Sequence, residues 1–386
     1  MNKNVVVFRT KLLPFSETFI KEQVLSYKEW NPVLVGQFHI ENGLDINECD
    51  FVTFEEKISI FSNFKRNFYK LISFSPSRDE KLLRALEPDI IHIHFGVDAV
   101  INWSLFRRFD LPILITLHGY DINIKKAWWK SGKEGLHLKD YPERILKIAQ
   151  SKNVTFIAVS QELKKKAIEF GIPADKIFVS YIGVDTVVFA KQNVPYDSRK
   201  QILFVGRLVE KKGCGVLIEA FSKIHDKYPD VELKIIGTGP LEKQLKALAA
   251  SLNVKVNFVG ACNKHQVIEE LSKSLVLCLP SVHAESGDAE GFGLVLLEAS
   301  ACGVPVITSA FGGAKEGIIN GVTGFAFEEN DNNELSYRLT QLISDHRMAE
   351  KMGNDARKFV EEKFGIDACT VSLEEIYNKL TNSPSR

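Results

Sequence analysis

Two glutamates eight positions apart, Glu290 and Glu298, stand in the run Gly287-Asp288-Ala289-Glu290-Gly291-Phe292-Gly293-Leu294-Val295-Leu296-Leu297-Glu298-Ala299, which Cys302-Gly303-Val304-Pro305-Val306-Ile307 closes. Gly291 and Gly293 let the backbone approach a ligand closely, and Leu294 to Ala301 continues as an apolar helix. Gly303 is placed to end that helix and Pro305 to open a strand. A helix start offers unpaired amides to an anion, and Glu298, about one turn inside, can accept hydrogen bonds from ligand hydroxyls. Phosphate and sugar could therefore share this corner. A second cluster, Gly206-Arg207-Leu208-Val209-Glu210-Lys211-Lys212-Gly213, follows the strand pattern Ile202–Val205. Arginine supplies a planar fork of donors and lysine a point charge, which suits the cluster to holding a phosphate group; Lys211 reads as a surface charge.

Three further groups sit at the ends of strand patterns. Ile235-Ile236-Gly237-Thr238-Gly239-Pro240 turns into the helix pattern Lys243–Ala250, so backbone amides at Gly237 and Gly239 could meet nucleotide, although a plain tight turn explains the same residues. Neither a phosphate loop ending in Gly-Lys-Ser/Thr nor a full Gly-x-Gly-x-x-Gly is present. Thr116-Leu117-His118-Gly119-Tyr120-Asp121 places an imidazole at the end of a buried strand, where it can bind a ligand or be an ordinary hydrogen-bonded histidine; Asp121 could orient it. His92 and His94 alternate along a strand and share one face, but lack carboxylate or cysteine partners at metal-ligand spacing. In Arg9-Thr10-Lys11-Leu12-Leu13-Pro14-Phe15-Ser16-Glu17-Thr18-Phe19-Ile20, Ser16 is placed to cap a helix with Glu17 in its first turn.

The elements that must position these groups alternate from end to end, short apolar runs with longer amphipathic ones, as in parallel sheets flanked by helices. Strands are predicted at Val5–Phe8, Val33–Gly36, Ile90–Phe95, Ile113–Leu117, Val154–Val159 and Ile177–Tyr181, then at Ile202–Val205, Leu233–Ile236, Val256–Val259, Val276–Leu279, Val304–Thr308 and Phe325–Phe327. These make two similar halves of a 386-residue chain, too long for one ordinary core. The polar stretch from Gly183 to Asp197, with Pro195, is the expected hinge. Two such domains facing each other would form a cleft at the carboxyl ends of their strands, where ligands of open parallel sheets bind. Lys plus Arg equals Asp plus Glu at 49 each, so overall charge points to neither nucleic acid nor an acidic partner. The six cysteines lack paired spacing and read as reduced, buried thiols of a cytoplasmic protein. No signal-peptide pattern opens the chain and no run approaches the ~20 apolar residues of a membrane span, so membrane contact is expected to be peripheral. Two stretches mix aromatic and basic residues, Phe61 to Phe74 and Lys125-Lys126-Ala127-Trp128-Trp129-Lys130; both suit a membrane interface, but the core-facing helical spacing of Phe61, Phe64 and Phe68 favours core packing.

The glutamate run resembles the paired-glutamate motif of retaining glycosyltransferase family 4, enzymes of the GT-B architecture that use nucleotide sugars. The resemblance implies two Rossmann-like domains about a central cleft: residues 1–185 on the acceptor side, joined by a returning C-terminal helix within 368–386, and residues 186–367 for the nucleotide sugar. It implies that Glu290 contacts the donor sugar and Glu298 the ribose, that Arg207 and Lys212 form the phosphate clamp, that Gly237 and Gly239 form the family's glycine turn, that Gly291, Phe292 and Gly293 belong to the donor site, and that His118 sits over the sugar. The catalytic set so implied is His118, Glu290, Arg207 and Lys212. The chain departs from many members in lacking a glycine pair after its first strand; its Pro-x-Ser-Glu-Thr-Phe-Ile form resembles a subset making bacterial exopolysaccharides such as colanic acid and amylovoran. The expected enzyme is a retaining hexosyltransferase that needs no metal or other cofactor. It would move a sugar from a nucleotide diphosphate, UDP ahead of GDP, to a saccharide, lipid-linked acceptor of surface polysaccharide. Its rivals are a GT-B sugar-nucleotide epimerase, disfavoured by the glutamate and clamp motifs, and a two-domain sugar-binding protein.

Overall fold

A computed structural model describes residues 3–40, 43–55, 75–309 and 311–382. The aromatic and basic stretch Phe61 to Phe74 lies outside the described residues. The chain divides into two units, residues 1–183 with 366–386 and residues 184–365.

The first unit is built on a seven-stranded sheet in the order β3-β2-β1-β4-β5-β6-β7, with β1 Lys3–Leu12, β2 Trp30–His39, β3 Phe51–Thr53, β4 Ile90–His94, β5 Ile113–Leu117, β6 Val154–Ala158 and β7 Ile177–Val179. Every pairing is parallel, and β4 and β5 are buried at all their positions, which is why these strands read as continuous apolar runs. The strand order reverses between β1 and β4, so Arg9 and His94, just past the last β1–β4 pair, flank the switch point of the sheet. β1 runs four residues beyond the sequence expectation, pairing Arg9 with Gly36 and Leu12 with His39. Arg9 can stay inside a strand because carboxylates from two other elements neutralise it, as set out below.

The helix Ile366–Asn382 returns to this unit, and its attachment is polar as well as apolar. The buried Glu374 carboxylate accepts the backbone amides of Lys28, Glu29 and Trp30 at 3.0, 2.9 and 3.0 Å. Tyr377 hydrogen-bonds Tyr27 at 2.6 Å and His92 Nδ1 at 2.5 Å, while Leu373, Ile376 and Tyr377 join the core around Val5, Leu34 and Ile90. In the segment Lys125–Lys130 one ring packs inside while the lysines stay exposed. Trp129 is fully buried with its ring 4.4 Å from that of Tyr141, and the Trp128 indole donates to Glu134 at 2.9 Å.

The second unit carries a six-stranded parallel sheet in the order β10-β9-β8-β11-β12-β13, with β8 Gln201–Val205, β9 Glu232–Ile236, β10 Val256–Gly260, β11 Ser274–Leu279, β12 Val306–Ser309 and β13 Gly324–Phe327. Its order reverses between β8 and β11. The loops that leave these two strands, 206–213 and 280–293, are the two that carry the lysines and the first glutamate. Pro305 precedes β12 rather than opening it, and its carbonyl accepts the Leu277 amide at 3.1 Å. Among the described residues no helix is long and apolar enough to cross a membrane.

Candidate active site

In the second unit the loop after β8 tightens into a 3-10 turn over Glu210–Lys212 and ends at Gly213, whose φ of 65° starts the helix Cys214–Ser222. This turn sets two lysines side by side, and each takes one carboxylate from the loop after β11. Lys212 Nζ pairs with Glu290 Oε2, and Lys211 Nζ lies 3.0 Å from Asp288 Oδ2. Lys211 is therefore part of the inter-loop contact and not the surface charge its sequence context suggests. Burial pushes the Glu290 carboxyl up, but the attraction of Lys212 and then Lys211, with hydrogen bonds from Lys212 and the Gly291 amide, outweighs it and holds the group below its ordinary range. Arg207 is exposed on the same loop and makes no ion pair with a described residue. The cluster thus holds one solvent-facing guanidinium beside two lysines already neutralised by carboxylates.

The helix Leu294–Ala301 starts from Gly293 at φ 79°, ψ 56°, a left-handed conformation that carries no side-chain cap. Its first amides consequently lack the side-chain acceptor that most helix starts supply. Glu298 lies half-buried in the second turn, one turn inside as its spacing indicates. Phe292 turns its ring into the core, 5.5 Å from that of Phe364, and Gly291 is buried beside it. The turn Gly237-Thr238-Gly239 has a different use from the one its sequence suggests first. A Cβ on Gly237 would fall 1.9 Å from the Gly206 carbonyl oxygen, and one on Gly239 2.4 Å from that of Leu208. The Leu208 amide donates to the Thr238 carbonyl at 2.9 Å, and the Leu241 amide to the Leu208 carbonyl at 3.1 Å. These glycines let one loop lie directly on the backbone of the loop that bears Arg207.

In the first unit His118 follows β5, and its ring stacks with that of His94 at a centroid separation of 5.2 Å. His94 Nδ1 and His118 Nε2 are 3.0 Å apart. His92, on the same face of β4 as expected, stacks on His94 at 4.5 Å, and its two nitrogens are taken by Tyr377 and by Thr116 at 2.6 Å. Burial drives the His92 imidazole down to about 3, and drives His94 and His118 well below their ordinary range, with the Arg9 charge a further contribution for the latter two. All three rings are therefore neutral near pH 7. Asp121 does not orient the His118 ring. Its Oδ2 accepts the His118 backbone amide at 2.8 Å, and complete burial raises its carboxyl to about 6 against the pull of several backbone amides.

One group in this unit was not singled out by sequence. The Arg9 guanidinium meets Glu17 in a fork, at 2.9 and 2.6 Å, and also pairs with Asp98, all three mostly buried. Glu17 is thus committed to an ion pair beyond its place at the helix start, and Ser16 does not cap that helix, Thr18–Ser26. Arg9 lies 4.1 Å over the Phe95 ring, whose own centroid is 4.3 Å from that of His118. Phe95 holds an unusual φ of 70° for a non-glycine residue. The only signal in the sequence was a charge inside an apolar strand. The candidate residues therefore fall into two groups, His118 with His94 in the first unit and Arg207, Lys212, Glu290 and Glu298 in the second.

Two family models match the chain, Glycosyl transferases group 1 over residues 185–359 and Glycosyltransferase Family 4 over residues 43–188. Among curated proteins the chain is similar to the amylovoran biosynthesis glycosyltransferase of Erwinia amylovora, 31% identical over 297 residues that span 76% of this chain and 70% of that relative. It is 32% identical over 294 residues, 75% of this chain and 70% of the relative, to a Salmonella typhimurium glycosyltransferase assigned to colanic acid biosynthesis. Among solved structures it resembles an Anabaena protein crystallised with UDP, at a TM-score of 0.76 and 18% identity over 98% of this chain and all of that one. Sucrose-phosphate synthase from Thermosynechococcus elongatus also scores 0.76, at 19% identity over 98% and 99% of the two chains.

Proposed function

The chain belongs to the family 4 glycosyltransferases of GT-B architecture and is a hexosyltransferase, and from that premise we propose that it is a retaining enzyme taking its sugar from a nucleoside diphosphate. The observation that carries the reading is the pairing of Lys212 with Glu290 beside exposed Arg207, on the two loops that leave the strands flanking the switch point. A donor's diphosphate is the ligand whose charge suits Arg207 and Lys212, and a sugar hydroxyl is the group that suits Glu290 once Lys212 is drawn away. Glu298, half-buried on the helix that starts at Gly293, is given the ribose hydroxyls; the uncapped start of that helix is given the anion. His118 is given the transferred sugar. Gly237 and Gly239 act by supporting the Arg207 loop.

In this mechanism Arg207 and Lys212 stabilise the departing diphosphate, so no metal or other cofactor is called for. The leaving phosphate guides attack on the same face of the sugar and takes the acceptor proton; trapping of a glycosyl-enzyme would count against this route. UDP is preferred to GDP as donor nucleotide, a choice supported by the fold shared with the UDP-bound Anabaena protein. The acceptor is a saccharide, lipid-linked and destined for surface polysaccharide, supported by the amylovoran and colanic acid relatives. The protein would meet such an acceptor at the inner face of the cell membrane from the cytoplasm.

Thermal stabilisation by UDP-, GDP-, ADP- and TDP-sugars in EDTA tests the reading, with the best donor repeated on Glu298→Ala and Lys212→Ala. Selective stabilisation by one nucleotide, lost in both variants, is the expected result. Stabilisation by free sugar and by none of the nucleotides would instead make the protein a sugar binder, and isomerised donor appearing without acceptor would make it an epimerase.

A further inference from the structure

His94 and His118 share one hydrogen bond, and the surroundings of His94 decide which ring donates it. A neutral imidazole carries a single N–H. If His118 Nε2 donated to His94 Nδ1, the only proton of His94 would sit on Nε2. That atom is buried and has no partner among the described residues. His92, the ring stacked on His94, has both of its nitrogens committed to Tyr377 and Thr116. A buried N–H without an acceptor forfeits its full hydration, and such orphans are rarer in folded proteins than unpaired acceptors. The reverse arrangement leaves only a bare lone pair at His94 Nε2. Two protons or none in the 3.0 Å gap would set like against like.

We infer that His94 donates from Nδ1 to His118 Nε2, and so fixes His118 as the tautomer that carries its proton on Nδ1. His94 is then a positioning residue, and His118 presents to any ligand at Nδ1 a hydrogen-bond donor and not a base. His118 is only part-buried, and its Nδ1 makes no hydrogen bond with a described residue, so that donor is available. On the function proposed above, the donor serves a hydroxyl or ring oxygen of the transferred sugar; the tautomer itself does not depend on that reading.

The test is a two-bond proton–nitrogen NMR spectrum of the full chain labelled with 15N-histidine at pH 7, with His118 assigned by loss of its signals in His118→Asn. The expected pattern is a pyrrole-type Nδ1 and a pyridine-type Nε2 for His118. The opposite pattern, or an imidazolium, overturns the inference. His94→Asn restores an N–H donor near the position of Nδ1, whereas His94→Asp offers only acceptors and draws a proton onto His118 Nε2. The tautomer should survive in the first and be lost in the second. The kcat for sugar transfer should be rescued to within about threefold in the first and fall at least tenfold in the second, the scale of one misdirected donor. Wild-type and Asn spectra decide the tautomer even if the Asp variant fails to fold. The expected tautomers with equal kcat in the two variants would overturn the extension to the sugar and leave the tautomer standing.

Discussion

Replacing Glu290 by Gln should move two measurable quantities in opposite directions. In the structure Lys212 is already neutralised by Glu290, so a diphosphate that recruits Lys212 must first break that pair. The gross attraction of two such charges in contact is about 4 kcal/mol at an effective dielectric of 20. Both side chains are largely shielded from solvent, at 17% and 10% exposure, and desolvation removes much of this, leaving a net pair of roughly 1–2 kcal/mol. Glutamine keeps the size of the side chain and an oxygen for the Gly291 amide while releasing the lysine. A bare nucleoside diphosphate should therefore bind Glu290→Gln about 5- to 30-fold more tightly than wild type, since each 1.4 kcal/mol is tenfold. Sugar transfer should fall about 10²- to 10³-fold, the usual loss when one polar contact to a developing charge is removed. Isothermal titration with UDP and GDP, with initial rates of transfer from the preferred donor, reads both effects. Lys212→Met is the control and should lose affinity and turnover together. If Glu290→Gln weakened nucleotide binding in step with turnover, Lys212 would not be shared between carboxylate and phosphate, and the roles given to this pair would be wrong.

Glu374→Ala removes the acceptor of three amides at the seat of the C-terminal helix and should cost about 3–5 kcal/mol in urea unfolding, against about 1–2 for Glu374→Gln, which keeps an oxygen in place. Equal losses would mean that the helix is held by its apolar face alone. Asp121 is raised by burial from 3.8 to about 6, so between these values the folded chain holds a proton that the unfolded chain has released, and stability falls as pH rises through that window. The wild type should lose about 2 kcal/mol relative to Asp121→Asn between pH 4 and 6, and parallel pH curves for the two would show that the buried carboxyl is already compensated. Gly237→Ala places a methyl 1.9 Å from the Gly206 carbonyl oxygen at φ 134°, so one of the two loops must shift, and both stability and nucleotide affinity should fall. A melting temperature and nucleotide affinity both near wild type would exclude the supporting role given to that glycine.

The strands of both sheets were legible because a parallel strand buried on both faces leaves an uninterrupted apolar run, as in Ile113–Leu117, which forms β5 without change. β3 was not legible. Phe51-Val52-Thr53 pairs on one side only and needs no apolar run. The extension of β1 through Leu12 was hidden for another reason, since Arg9 looks like a loop residue until Glu17 and Asp98 are seen to neutralise it. The candidate site shows the same division. Glycine spacing and charge type pointed to the loops after β8 and β11. That Lys211 as well as Lys212 is paired, and that the 237–239 turn is packed against 206–208, depends on contacts between residues tens of positions apart, which no local pattern records.

The two units hold their polar groups in opposite ways, and the physical reason lies in what a buried charge needs. In the second unit the lysines can remain charged in a shielded place because each has a carboxylate, and that pairing also fixes where the charge waits. In the first unit the three imidazoles have no ion pair with a carboxylate among the described residues, and burial, with the nearby Arg9 charge for His94 and His118, keeps them neutral. Arg9 in turn stays charged because Glu17 and Asp98 outweigh the burial that opposes it. Breaking the Arg9 cluster would thus reach His118 by two routes, through the field at the ring and through Phe95, which stands between Arg9 and the imidazole. A neutral, directed N–H suits an uncharged sugar, and paired lysines that can exchange one anion for another suit a diphosphate. The chemistry proposed for the chain asks for both, and neither arrangement could stand in for the other.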